Sequence, residues 1–298
     1  MIDLQERLQF QQISLEDASW AVPLLKNSGL NGCEFTFSTL YMWREYGKNR
    51  WARVGDTVFF RSDTPEMTFS PPVGGNFESG IALLRSYAHD QGAPLRLYGS
   101  AENLADRLEQ AFPGQFDRRP SEPDFDYLYS REALATLPGK KYHGKRGHVA
   151  AFTKRYNWQY EAIDDGNLPD VLRMAEAWYQ SREPLNASLR AEQQSIGDVL
   201  SHRKLLDVRG GLLRVDGRVA AFTFGAPVSS REFDIQVEKA LSEYPGAYAV
   251  INKEFAAREL DGFEWINREN DMGLEGLRKA KQSYHPARII QKYICTER

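Results

Sequence analysis

Apolar residues recur along the chain with the spacing of helices and of strands in alternation. Ile81, Leu84 and Ala88 recur as on one face of a helix. The stretch GLLRVDGRVAAFTFG predicts a β-hairpin, because Asp216-Gly217 favours a two-residue turn between apolar runs. The alternation continues through both halves of the chain and predicts an α/β (α+β) fold, with mixed central sheets flanked by helices.

The same order of elements occurs twice. Each half is predicted to contain a hairpin, a helix, a strand, a helix and a strand, and the two hairpin turns, at Gly55 and Gly217, are about 160 residues apart. Residue identity between the halves is negligible, so the repeat rests on the order of elements. We predict a duplicated unit with an N-terminal domain at 1–136, a connector at 137–158 and a C-terminal domain at 159–298.

Polar and charged residues are concentrated in the stretch from Ile266 to Pro286. A predicted strand ends there in Asn267–Asp271, and a helix follows for which Asp271 is a good N-cap. Ligands usually bind at strand ends in α/β sheets, so this stretch is a candidate site. The alternative is a capped surface helix with solvated lysines. The buried face of the helix is predicted to consist of Leu274, Leu277, Ala280 and Tyr284.

The connector is basic and rich in aromatic residues. Phosphates of an RNA would bind to such a surface through charge and stacking. The alternative is an inter-domain connector with a solvated basic side. The residues predicted to bind tRNA or phosphate are Lys141, Lys145, Arg146 and His148.

Composition limits the classes of function. The chain has 298 residues, a net charge of −3 and two distant cysteines, which indicates a reduced, cytoplasmic protein. The N-terminal MIDLQERLQF is too polar for a signal peptide, and no apolar run approaches the roughly 20 residues of a membrane helix. The histidines have no ligand-like spacing, so no metal site is predicted. Motifs of hydrolases, P-loop NTPases and thiol-redox proteins are absent.

Four segments resemble a known bacterial family. YLYSREALATLPGKKYHGKRGHVAAF, QVEKALSEYPGAYAVINKEFA and the stretch from Ile266 to Pro286 look like the signature blocks of an uncharacterised family related to the C-terminal domain of phosphatidylglycerol lysyltransferase. CEFTFSTLYMWRE is similar to its opening block. The resemblance implies two tandem GNAT-like (N-acetyltransferase-like) domains. It also implies kinship with enzymes that transfer an aminoacyl group from aminoacyl-tRNA to an amine or hydroxyl of a lipid or peptide.

Such a transfer needs a base, donors for the oxyanion and cations for RNA phosphates. Glu238 is the candidate base, and Asn267 and Asp271 complete the predicted catalytic set, with a surface carboxylate and a helix cap as the alternatives for Glu238 and Asp271. The predicted substrate-binding residues are Arg268, Asn252, Arg278, Lys279, Lys281 and Tyr284. For Tyr284 the alternative is a core position.

The acyl donor is predicted to be aminoacyl-tRNA rather than coenzyme A. GNAT enzymes hold the donor's pyrophosphate on a glycine-rich turn that opens a helix. The corresponding turn here, Ser242–Ala247, carries Glu243 and a proline and lacks the paired glycines. Two alternatives stay open: a non-catalytic GNAT-like binding module, and an acetyl-CoA-dependent N-acetyltransferase that uses the Gly74-Gly75 turn.

Overall fold

The computed structural model of the protein describes residues 8–298. Residues 1–7, to which the expectation of a polar N-terminus without a signal peptide applies, lie outside the described residues. Fourteen strands are present in the described part: β1 (Gln11–Gln12), β2 (Arg50–Val54), β3 (Thr57–Ser62), β4 (Thr68–Phe69), β5 (Arg96–Ser100), β6 (Phe116–Pro120), β7 (Asp126–Ser130), β8 (Trp158–Ala162), β9 (Arg209–Val215), β10 (Arg218–Pro227), β11 (Glu232–Ala240), β12 (Trp265–Asn267), β13 (Arg288–Ile290) and β14 (Lys292–Glu297).

Helices alternate with these strands as the apolar spacing predicts. Short 3-10 turns and one π turn extend several of them. Between residues 8 and 298 the α-helices are α1 (Ala18–Lys26), α2 (Phe37–Met42), α3 (Arg44–Gly47), α4 (Phe77–Asp90), α5 (Asp106–Ala111), α6 (Arg131–Thr136), α7 (His143–Arg155), α8 (Leu168–Gln180), α9 (Ala187–Ser201), α10 (Ala247–Arg258) and α11 (Glu275–Gln282). None of these helices has the length and apolar character needed to cross a bilayer.

The two halves form sheets with the same strand order. The first sheet runs β1-β2-β3-β4-β5-β14-β6 and the second runs β8-β9-β10-β11-β12-β7-β13. In each sheet one pair is parallel, β4 with β5 and β11 with β12. The shared order in two mixed sheets flanked by helices agrees with the predicted α/β fold of two like units.

Each half lends one strand to the other. β7 follows β6 in the chain but pairs with β12 and β13 of the second sheet. β14 follows β13 but lies between β5 and β6 of the first sheet. The domain boundaries given above stay a prediction, and the strand exchange means that neither sheet is built from one continuous segment.

Apolar side chains of both halves share a core. Val58 and Phe60 of β3 pack in one cluster with Phe222 and Phe224 of β10, together with residues of α1, α2, α8 and α9. Phe59, between Val58 and Phe60 on β3, points to the opposite face of the first sheet and packs against α4 and α5. The side chains of α6, α7 and α10 cover the other face of the second sheet. The space between the two sheets is therefore filled, except where polar side chains replace the apolar ones.

The predicted capping and faces of α11 are wrong. The helix begins at Glu275 with Leu274 as its N-cap, and the carboxylate of Asp271 instead accepts a hydrogen bond from the Gly273 N–H. Leu274 and Leu277 are exposed, whereas Lys281 is 8% exposed. The faces are inverted because Lys281 donates to the main-chain carbonyls of the preceding loop, which no apolar side chain could do. The prediction that Tyr284 is buried is confirmed.

Candidate functional site

The parallel strands β11 and β12 pair over only three residues and then part. The pairs run from Glu232 with Trp265 to Asp234 with Asn267, after which β12 ends and β11 continues to Ala240. A bulge at Gln236 interrupts the pairing of β11 with β10 at the same level. Bulges and parted strands leave backbone groups unpaired, and both are common at functional sites. We call this opening, between β11 after Asp234 and the loop after Asn267, the cleft.

Glu238 and Arg268 face each other across the cleft. Arg268 Nη2 donates to Glu238 Oε1 at 2.8 Å, and Asn252 Nδ2 of α10 donates to Glu238 Oε2 at 3.1 Å. Arg268 Nη1 and Asn252 Oδ1 are buried without a partner among residues 8–298. A buried donor and a buried acceptor without partners carry a desolvation cost that a bound molecule would remove. The structure thus brings together three residues that the sequence nominated separately.

Tyr284 joins this group to the basic connector. The centroid of its ring is 4.7 Å from the Arg268 guanidinium carbon and 3.8 Å from Lys145 Nζ. Burial, and then the charge of Arg268, lower the pKa of Lys145. Burial raises the pKa of Tyr284 to about 12, so its hydroxyl stays protonated at neutral pH. Two cations on one ring make this the electropositive side of the cleft.

Asn267 and Asp271 lie next to the cleft but already have protein partners. Asn267 donates to Asp126 and Glu232 and accepts from the Glu269 N–H. Asp271 accepts from the Tyr127 hydroxyl at 2.7 Å and from Arg278 Nε at 2.7 Å. The hydrogen bond from Arg278 is the main cause of a pKa of about 2 for Asp271. Both side chains shape the loop that carries Arg268.

The other nominated cations do not converge on the cleft. Arg278 is held by Asp271, and Lys279 pairs with Glu275 on the exposed side of α11 at 2.5 Å. Lys281 points inward to the carbonyls of Arg268 and Glu269. It therefore holds the loop rather than presenting its charge to a ligand.

The connector residues also differ in whether they reach the cleft. Lys141 and His148 are exposed, whereas Arg146 donates to the carbonyls of Leu137 and Gly139 at 2.6 Å. Of the four predicted tRNA-binding residues, only Lys145 reaches the aromatic group at the cleft. The exposed cations of α7 form a surface that leads away from it.

A buried charge cluster that the sequence did not reveal lies between the halves. Lys292 of β14 is 1% exposed, and its ammonium donates to Glu34 Oε2 at 2.6 Å, Asp126 Oδ1 at 2.8 Å and Cys33 Sγ at 3.3 Å. Burial opposes the charge of Lys292, but the two carboxylates keep its pKa well above the usual value. Lys292 and its partners come from three distant parts of the chain, so no local pattern indicates the cluster.

The same three ligand atoms could in principle hold a metal ion. The ligand atoms of Cys33, Glu34 and Asp126 lie within 4.8 Å of one another. The ammonium of Lys292 hydrogen-bonds to all three. Because a metal ion would have to displace this buried cation, the group is better described as a lysine-centred ion cluster.

Three further acids lie at the inner end of the cleft: Glu232 and Asp234 on the paired part of β11, and Glu269 on the loop after β12. Burial raises the pKa of Glu232 to about 7 and that of Glu269 to about 8. Asp234 is fully buried, neither of its carboxylate oxygens has a partner among the described residues, and burial raises its pKa well above the usual value. This inner side is acidic, opposite the cations around Tyr284.

The glycines of both turns are explained by packing within the chain. A Cβ at Gly246, which precedes α10, would lie 2.9 Å from the His148 carbonyl oxygen of α7. A Cβ at Gly75, which precedes α4, would lie 1.9 Å from Thr57 Oγ1 of the neighbouring hairpin. Neither glycine is therefore evidence for a phosphate of coenzyme A.

A protein family and a solved structure match nearly the whole chain. The family model described as phosphatidylglycerol lysyltransferase, C-terminal, matches residues 26–296. A conserved protein of unknown function from Bacteroides thetaiotaomicron is 32% identical, with a TM-score of 0.92, and the match covers 98% of this chain and 100% of that one. No curated protein matches the sequence significantly.

More distant structures share the fold. The C-terminal domain of a putative lysylphosphatidylglycerol synthetase from Agrobacterium fabrum is 16% identical, with a TM-score of 0.71 over 96% of this chain and 93% of that one. A tandem GNAT protein from the clavulanic acid biosynthesis pathway is 11% identical, with a TM-score of 0.51 over 97% of this chain and 98% of that one. The predicted family resemblance is confirmed by the sequence match, and the tandem fold by these structures.

Proposed function

Because the chain belongs to the family of the phosphatidylglycerol lysyltransferase C-terminal domain, we propose that it transfers an aminoacyl group from aminoacyl-tRNA to an amine or hydroxyl acceptor. The transfer centre is the cleft between β11 and β12. The observation that carries the proposal is the pair of buried, unpartnered atoms, Arg268 Nη1 and Asn252 Oδ1, beside the cations around Tyr284.

The chemistry assigns a part to each residue at the cleft. The acceptor attacks the ester carbonyl that joins the amino acid to the terminal ribose. Arg268 Nη1 donates to the oxyanion that forms, and Glu238 takes the acceptor's proton and returns it to the departing ribose oxygen. Asn252 accepts from the α-ammonium of the amino acid. Lys145 contacts a phosphate near the 3′ end of the tRNA.

The neighbouring residues hold the cleft residues in place. Asn267, Asp271, Arg278 and Lys281 hold the loop that carries Arg268. Lys141 and His148 lie exposed on the connector, where they contact the tRNA, while Arg146 holds the Leu137 and Gly139 carbonyls before α7 and Lys279 is peripheral. Since tRNA is charged in the cytoplasm, the proposal also places the protein there. The acceptor enters from the side facing the first half.

A melting-temperature comparison tests the proposal. A ligand at 100 times its dissociation constant adds about 2.7 kcal/mol of stability, which corresponds to a shift of several degrees. Charged tRNA should raise the melting temperature more than uncharged tRNA, and coenzyme A and acetyl-CoA should not raise it. Arg268→Lys should abolish the difference between the two tRNA forms. Arg258→Lys on the exposed side of α10 should keep it, since Arg258 pairs with Glu254, lies over the Tyr160 ring and contacts none of the cleft residues described above.

Two other outcomes of these measurements would count against aminoacyl transfer. Stabilisation by acetyl-CoA and not by charged tRNA would make the protein an acetyltransferase and refute the proposal. Stabilisation by charged tRNA without loss of its ester under any acceptor would leave a binding module.

A further inference from the structure

Asp234 is the buried acid at the cleft with the fewest hydrogen-bond partners among residues 8–298. The residue is fully buried, and both carboxylate oxygens lack a hydrogen-bond donor among residues 8–298. Buried carboxylates in proteins are normally paired or hydrogen-bonded, because an isolated one is costly. An acidic side chain kept in this position needs an explanation other than packing.

The surroundings of Asp234 are acidic. After burial, the charges of Glu269, Asp126 and Glu232 raise its pKa, and only Lys292 acts in the opposite direction. An ammonium has three hydrogens to donate. Lys292 directs its hydrogens to Glu34, Asp126 and Cys33. Lys281 donates to main-chain carbonyls. No cation of the described chain is therefore directed at Asp234.

Asp234 lies at the inner end of the cleft, where β11 and β12 begin to part. It pairs with Asn267 in the last β11–β12 pair before the strands part, and it is four residues before Glu238 on the same strand. The bulge at Gln236 lies between them. Glu238 is bonded to Asn252 of α10, whereas Glu232, two residues before Asp234, is bonded to Asn267 on the side of Asp126. Phe233 and Ile235 pack on the α10 side, so Asp234 points to the opposite face of β11 from Glu238, and the two strands part just after Asp234.

We propose that Asp234, with Glu269 and Glu232 beside it, binds the ammonium of a primary amine, and that this amine is the aminoacyl acceptor. The inference rests on the proposed function and narrows its acceptor from amine or hydroxyl to amine. The bound ammonium gives one proton to the carboxylate of Asp234. The neutral amine then forms a C–N bond to the ester carbonyl carbon while the C–O bond to the ribose breaks, and the ribose oxygen takes the amine's second proton through Glu238.

Calorimetric titration without tRNA tests the amine site directly. Methylamine is titrated at pH 7 into the full-length protein, in phosphate and in MOPS buffer, and methanol is titrated as the neutral analogue. We expect methylamine to bind at least about tenfold more tightly than methanol, because only the ammonium forms charged hydrogen bonds. Its heat should differ between the buffers, because binding ionises Asp234 and releases a proton.

Two variants locate the effect. Asp234→Asn should weaken methylamine binding by at least about tenfold and remove the difference between buffers. Its melting temperature should not fall, since an amide replaces an unpaired acid of the same shape. Glu254→Gln, an acid of α10 that pairs with Lys253 and Arg258, should behave like the wild type. Equal binding of methylamine and methanol, or unchanged binding in Asp234→Asn, would overturn the inference.

The same titrations separate the amine site from a metal site and from the proposed function. If Mg²⁺ binds and methylamine does not compete with it, the carboxylates form a metal site and the inference is refuted. If charged tRNA stabilises the protein but methylamine does not bind, the inference fails and the proposed function stands. If methylamine binds and charged tRNA has no effect, the amine site stands but is not an acceptor site.

Discussion

At the scale of single residues, the protein keeps acids in an environment that disfavours their charge. Glu232 is 9% exposed, and burial raises its pKa to about 7, although Asn267 donates to it. Burial raises the pKa of Asp234 and Glu269 as well. Acids held in this way reduce stability, and their retention is a common mark of a site that does chemistry.

Replacement of Glu232 by glutamine should stabilise the protein in a pH-dependent manner. Below about pH 4 Glu232 is protonated in both the folded and the unfolded state, so its raised pKa does not change the free energy of unfolding. As the pH rises towards 7, the unfolded state loses the proton first, so the wild type loses stability. The advantage of Glu232→Gln should grow over this window to on the order of 3 kcal/mol.

Urea denaturation of both proteins between pH 3 and pH 8 measures this advantage. Glu161→Gln is the opposite control, because the hydrogen bond from Arg214 lowers the pKa of Glu161. That carboxylate stabilises the fold above the unfolded pKa, so its loss should cost more at pH 7 than at pH 3. A stability difference between wild type and Glu232→Gln that does not change with pH would contradict the account.

At the scale of elements, α11 shows how a loop can determine which face of a helix is buried. Glu269 has a φ of +54°, a left-handed conformation that is unfavourable for a glutamate. Its carbonyl accepts from the Tyr127 N–H and from Lys281. The loop that presents Arg268 therefore depends on a lysine that the apolar pattern of α11 assigned to the solvent side.

Lys281→Met should destabilise the protein, and Lys279→Met should not. The first change removes the lysine donor of the Arg268 carbonyl and leaves the Glu269 carbonyl only the Tyr127 N–H, at a cost of about 1–3 kcal/mol. The second removes only an exposed pair with Glu275, worth less than about 1 kcal/mol. Urea denaturation measures both, and equal effects would show that Lys281 does not hold the loop.

Local elements were predictable from the sequence because their signals are local. The turn at Asp216-Gly217 and the helix around Leu84 follow from residues a few positions apart, and both are present. The contact of Glu238 with Arg268 joins strands 30 residues apart, and Lys292 meets Glu34 258 residues away. Such pairs depend on strand order. Asp234 gave no signal because polar and apolar residues alternate from Glu232 to Gln236, a pattern that is typical of the solvent side of a half-buried strand.

At the scale of the whole molecule, the exchanged strands make the halves interdependent. β14 lies between β5 and β6 in the first sheet, and β7 lies between β12 and β13 in the second sheet, each next to the edge strand. Lys292 of β14 also reaches Asp126 of β7, so the two exchanged strands carry the buried ion cluster between them. The position of the cleft relative to the first half is thereby fixed.

The exchange predicts that the halves cannot fold separately. Fragments 1–124 and 125–298 should each lack a cooperative thermal transition, since the first lacks β14 and the second leaves β14 unpaired. Their equimolar mixture should recover one transition, and the intact chain should unfold in a single step with equal calorimetric and van't Hoff enthalpies. Calorimetry measures all four samples. A cooperative transition of 1–124 alone would contradict the prediction.

The central claim is that the cleft beside Arg268 catalyses aminoacyl transfer. The most direct measurement is the single-turnover loss of the ester of charged tRNA in the presence of methylamine, for the wild type, Arg268→Lys and Arg258→Lys. We predict that the wild type and Arg258→Lys accelerate the loss and form the aminoacyl methylamide, and that Arg268→Lys is slower by about a hundredfold, as expected when one oxyanion donor is removed. No acceleration over the protein-free reaction, or an equal rate in Arg268→Lys, would contradict the claim.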